Sequence, residues 1–140
     1  MNDHKTVVQT TTAPEAIGPY SQAIKSGNTV YLSMQIALDP ASGKLAGADA
    51  AAQAERVLKN VEAILVATGS AMARVVRTTV YLADMADFDA VNEIYKSFFP
   101  FEPPARTMIQ VGALPKGARV GIDAIATCHA EESQFGPSRF

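Results

Sequence analysis

RVVRTTVYLADMADFDAVNEIYKSF, residues Arg74 to Phe98, changes its period halfway, and the class of fold follows from that change. Up to Leu82 the run is dense in valine and threonine, side chains branched at Cβ that suit a pleated, half-buried surface. From there on Phe88, Val91, Ile94, Tyr95 and Phe98 recur at helical spacing. Asp87 stands where it can cap this helix, and Pro100, Pro103 and Pro104 must end it. Upstream, Ala54, Val57, Leu58, Val61, Ile64, Leu65 and Thr68 form one apolar stripe between Asp49 and Thr68. Glu55 and Lys59 sit four apart on the outer side of that helix, and Gly69 supplies its stop. Two helices separated by a strand that must cross between them predict an α+β fold, with both helices on one face of a mixed sheet.

The rest of the chain supplies strands. Thr6 to Thr10 reads as a short first strand, followed by a turn-rich segment through Gly18-Pro19-Tyr20. Ser21–Lys25 and Thr29–Met34 read as a hairpin across Ser26-Gly27-Asn28. Ala105–Val111 and Ala118–Thr127 read as a closing strand pair, joined through Leu114-Pro115-Lys116-Gly117. The predicted order is β-β-β-α-β-α-β-β in a single domain over residues 1–127, with a polar tail over 128–140. Two helices cover one side of such a sheet, yet the strands read as apolar on the other side too, around Val75, Ile109 and Val120. The simplest second cover is another copy of the chain, so a homo-oligomer is expected.

Composition removes several classes of function. With 48% apolar and 19% charged residues the chain is globular rather than disordered. A net charge of -2 provides no global field to attract a phosphate backbone, so nucleic acid is not an expected partner. The lone Cys128 can form no internal disulfide, and no apolar run reaches the length of a membrane span. A cytoplasmic protein without membrane association is the expectation. His4 and His129 are the only histidines and lie at the ends of the chain. Neither a metal site nor a Ser-His triad can be assembled from them, and phosphate-loop and dinucleotide fingerprints are missing.

Arg106 is the most informative polar residue. It follows the stiff Pro104-Ala105 lead-in and shares a strand face with Met108 and Gln110. A guanidinium fixed there offers a planar fork to one carboxylate, either a substrate's or that of a structural Asp or Glu. Tyr20 reads as a pocket wall or a core aromatic, Asn92 as a ligand contact or an exposed helix residue, and Ser33 as a substrate contact or a partner of nearby backbone.

APEAIGPYSQA from Ala13, VYLSMQIALDP from Val30, RTTVYLADMADFDAVNEIY from Arg77 and PARTMIQVGALPKGARVGIDAIA from Pro104 together resemble the RidA (YjgF) family, in order and over nearly the whole chain. That resemblance implies a chorismate-mutase-like α+β fold assembled as a homotrimer, with ligand clefts between subunits. It implies cofactor-free hydrolysis of reactive enamines and imines, of the 2-aminoacrylate type, to a 2-keto acid and ammonia. By position, Arg106 matches the family's carboxylate-gripping arginine. Tyr20, Ser33 and Asn92 match cleft-lining residues, and the backbone N–H of Met108 matches a further carboxylate donor.

Two departures stand out. Where the family carries glutamate in a Val-Glu-Ile-Glu-Ala-Ile-Ala run, thought to position water, this chain has Gly121. Where the family has Ser-Gly-Gln, it has Ser33-Met34-Gln35, which places Met34 in the cleft. No catalytic side chain is assigned as a result. Asp123 points to the same face as Gly121, but a rise of about 3.3 Å per residue sets it roughly 6 to 7 Å away, and it is not expected to take over directly. Three functions follow from this pattern. The first is a deaminase weakened or retuned by Gly121, the second a non-catalytic trimer that binds small carboxylates such as 2-keto acids, and the third, less favoured by the acidic pI, a ribonuclease or translation inhibitor.

Overall fold

The computed structural model describes residues 5–128; both histidines and the tail from His129 onward lie outside the described residues. Six strands form one mixed sheet: β1 (Thr6–Val8), β2 (Ala23–Ser26), β3 (Thr29–Gln35), β4 (Val75–Leu82), β5 (Ala105–Gln110) and β6 (Val120–Thr127). Two helices, α1 (Ala50–Ala67) and α2 (Phe88–Phe98), pack together and lie over one face. The α+β architecture read from the sequence is the one observed.

Local chemistry sets the boundaries. Asp49 caps α1 by accepting from the Ala52 N–H, and Gly69, with φ at 86°, lets the chain leave the helix in a left-handed turn. Lys59 and Glu55 pair at 3.3 Å across one turn. Asp87 does not cap α2 as expected. Its carboxylate instead accepts from Arg119 at 3.3 Å, and Asp84 caps the short 3-10 turn that leads into the helix. The hairpin between β2 and β3 turns through Gly27-Asn28, with Gly27 at φ 61°. The first strand ends at Val8, because Thr10 turns to the Gln22 side chain for its hydrogen bond.

Strand order is β1-β2-β3-β6-β4-β5, and here the expected closing pair is corrected. β5 and β6 are not neighbours. β4 lies between them, parallel to β5 and antiparallel to β6. The Leu114–Gly117 segment is thus a connection over β4 rather than a hairpin turn. Such a placement leaves the last strand central, and Val120, Ile122, Ala124 and Ala126 are all buried beneath the helices.

The division of faces also differs from expectation. Val75 and Val120 belong to the helix-covered core, whereas Ile109 is 41% exposed on the open side, with Tyr31 and Val76 also exposed. A bulge in β4 between Val75 and Arg77 shifts the alternation, which is why counting by twos across this strand misplaces Val75.

A second bulge shapes β3. Leu32 pairs with Ala124 and Gln35 with Ile122, so Ser33 and Met34 together stand opposite the single residue Asp123. The extra residue sends Met34 toward the open face and returns Gln35 to the buried one.

Candidate functional site

Arg106 lies on the helix side of the edge strand β5, in register with Thr78 of β4. Its Nη1 donates to Asn92 Oδ1 at 2.7 Å, and its Cζ stands 4.8 Å from the centre of the Tyr95 ring. Tyr95 is itself fixed. Its hydroxyl shares a buried 2.7 Å hydrogen bond with Thr78, and its ring contacts Phe99 with centroids 4.7 Å apart. Burial holds the Tyr95 hydroxyl above its ordinary pKa, opposed by the Thr78 bond and the Arg106 charge. The guanidinium is therefore seated on a rigid aromatic plate and steered by a neutral amide. Among the described residues no carboxylate pairs with it, so the structural salt bridge is not formed there. Most of its five N–H donors remain for another acceptor.

These groups border a concavity of about 330 Å³ whose far wall is Phe99, Pro103 and Pro104. Asn92, read from sequence as either ligand contact or exposed helix residue, is half-buried and orients the arginine. Met108 shares the face of Arg106 and packs against the core.

Tyr20, Ser33, Met34 and Gly121 lie apart from Arg106: Ser33 and Met34 share the β3 bulge, Met34 reaches Gly121, and Ser33 bonds the residue after Tyr20. Ser33 donates to the Ser21 carbonyl at 2.6 Å, next to Tyr20. Tyr20 is 52% exposed and borders a larger cavity of about 680 Å³ along β1 and the segment before β2. Its hydroxyl accepts from the Ile17 N–H at 3.4 Å. Gly121 faces the open side of β6. A Cβ built there would meet Met34 Sδ at 2.8 Å and Met34 Cγ at 3.1 Å, so the methionine fills the room of the missing side chain.

Within one chain the two groups do not meet. Three strand steps separate β3 from β5, roughly 14 Å at the usual spacing. Arg106 faces the helices, whereas Gly121 faces away from them. A pair that the sequence did not single out lies beside the second group: the Tyr81 hydroxyl donates to Asp123 Oδ2 at 2.7 Å. Burial, followed by that bond and the Asp123 charge, raises the Tyr81 pKa above 10.0.

Comparison with known proteins gives a consistent picture. The family model described as Endoribonuclease L-PSP matches residues 10–128. The chain is similar to the mouse protein named 2-iminobutanoate/2-iminopropanoate deaminase, at 53% identity over 86% of this chain and 89% of that one. The human protein of the same name is 52% identical over 86% and 88%. Among solved structures, E. coli TdcF with bound serine superposes with a TM-score of 0.85 at 39% identity, covering 89% of this chain and 99% of that chain.

Proposed function

We propose, on the ground that the chain belongs to the endoribonuclease L-PSP family, the RidA family of its sequence motifs, that it hydrolyses reactive 2-imino acids and their enamine tautomers to 2-keto acids and ammonia. One observation carries the reading from family to chain. Arg106 is held by Asn92 and Tyr95 with no carboxylate of the described residues to neutralise it, the arrangement a substrate carboxylate needs. The names of the mouse and human relatives support the same substrate class.

The working unit is a homotrimer of the 1–127 domain in which the Arg106 group of one copy faces the Tyr20, Ser33 and Met34 group of another. The split of these residues between two faces of the sheet supports this assembly, as does the open face bearing Tyr31, Ile109 and Val76. The Met108 N–H adds a donor to the carboxylate. No cofactor enters the reaction, since an imine carbon is electrophilic enough for water once it is oriented. Among the described residues no helix is long and apolar enough to cross a membrane. A cytoplasmic setting is the reading that the lone Cys128 supports, since one cysteine forms no internal disulfide and suits a reducing compartment.

A second reading, a trimer that binds small carboxylates without turnover, is favoured by the Met34 thioether standing where a carboxylate on residue 121 would project. The two separate in one assay. 2-Iminopropionate is generated in situ by an amino-acid oxidase, and its decay is followed with and without the protein. Decay accelerated by wild type and not by Arg106→Ala supports the deaminase; binding of 2-ketobutyrate without acceleration supports the binding protein.

A further inference from the structure

We propose that Asp123, held by the Tyr81 hydroxyl, is the carboxylate that handles water in this cleft; the inference rests on the deaminase reading above. In the antiparallel register of β4 and β6, Tyr81 stands opposite Gly121 and Thr79 opposite Asp123, all on the open face. The phenol reaches diagonally and takes Oδ2 at 2.7 Å. Among the described residues no other side chain and no cation engages that carboxylate, which leaves Oδ1 free to accept.

Its position is set by the bulge. Ser33 and Met34 stand opposite Asp123, so the segment that supplies the cleft wall also faces this acid. Met34 fills the volume beside Gly121 that a side chain there would take, and on this proposal the water is held by residue 123 instead. On the open face of β3, β4 and β6, Asp123 is the only carboxylate. The strand distance from Gly121 counts against direct replacement only if water stays at residue 121, whose side-chain volume the thioether fills.

The chemistry balances without a further reagent. Asp123 takes a proton from water as the oxygen bonds to the iminium carbon, and the C=N π pair moves to nitrogen. The carboxyl group then returns that proton to the amine of the carbinolamine. The C–N bond breaks with its electrons leaving on nitrogen, the hydroxyl oxygen forms the carbonyl, and its proton passes to ammonia. Tyr81 is a positioning residue. Its hydroxyl, kept protonated by burial and by the adjacent charge, fixes one carboxylate oxygen and so aims the other.

The test uses the full chain with in situ 2-iminopropionate. Asp123→Asn preserves shape and an acceptor for Tyr81 but removes the base. Its kcat is expected to fall on the order of 10²- to 10⁴-fold, with affinity for 2-ketobutyrate unchanged, and Asp123→Glu is expected to recover most of the rate. Tyr81→Phe lowers kcat about tenfold and leaves affinity alone, a split that a merely structural role would not give. Wild-type kcat in Asp123→Asn overturns the proposal and leaves the deaminase reading standing. If Asp123→Asn fails to melt cooperatively, Tyr81→Phe decides, and an unchanged kcat there overturns it. Wild type no faster than uncatalysed decay removes this proposal together with the deaminase reading on which it rests.

Discussion

Met34 and Gly121 share one volume: the Sδ of the first lies 2.8 Å from where the Cβ of the second would stand. Neither position is independent of the other. Gly121→Glu alone must displace the thioether, and overpacking of this kind costs about 1 to 3 kcal/mol, at the low end here because the obstacle is the tip of a flexible side chain. Met34→Gly removes that obstacle. In a urea double-mutant cycle the pair is expected to be more stable than the sum of the singles by about 0.5 kcal/mol or more, and its imine turnover to exceed that of either single. Strict additivity would show that the two residues do not interfere.

Arg106→Ala is expected to weaken 2-ketobutyrate binding about 10- to 150-fold, the equivalent of one charged hydrogen bond at roughly 1.5 to 3 kcal/mol. Arg106→Lys also weakens it, because an ammonium cannot reproduce the fork. Asn92→Ala removes only the steering contact at 2.7 Å and has a smaller effect. Calorimetry ranks the three, and equal affinity in all of them would make the arginine structural.

If clefts join the Arg106 group of one copy to the Ser33–Met34 group of another, two inactive variants should rescue each other. Arg106→Ala and Asp123→Asn, each inert alone, are co-refolded and assayed; mixed trimers regain interfaces in which both groups are intact. Light scattering on wild type should report three times the 14.8 kDa chain mass. A stable monomer that turns over imine would end the shared-cleft account.

Alkaline stability depends on two tyrosines. Burial raises the pKa of both Tyr81 and Tyr95 above 10.0, so the folded state favours their protonated forms. That stability is fully present below about pH 10 and is lost as pH rises through the raised folded values. Urea midpoints measured from pH 8 to 11 should fall at the upper end, and Tyr81→Phe should flatten the fall. Identical limbs in wild type and Tyr81→Phe would show that this group does not differ between folded and unfolded states.

Sequence periodicity sufficed for α1, whose apolar stripe and stop at Gly69 both hold, because a helix is decided by residues within one or two turns. Arg106 was legible for a similar reason, as a stiff Pro-Ala lead-in fixes it locally. The Tyr81–Asp123 bond was not. It depends on β4 entering between β5 and β6, whereas chain order suggested that β6 would pair with β5. Strand neighbours far apart in sequence leave no local trace, and a side-chain pair that exists only through such a neighbour is hidden with them. The nearness of Met34 to Gly121 was legible only through the family resemblance, which set both in the cleft; alternation by twos assigns Met34 to the buried face, and the bulge turns it out.

That inserted residue in β3 is a change of phase. Before it, the even-numbered Val30 and Leu32 point inward; after it, the odd-numbered Gln35 does. The strand thus carries two incompatible counts, reconciled only where Ser33 and Met34 stand side by side opposite Asp123. Removing one residue there would restore a regular strand and a well-formed ladder while erasing the junction at which the cleft is built. This site is therefore more exposed to a one-codon change in length than to most changes of side chain, and a shortened chain could fold correctly and still be blank.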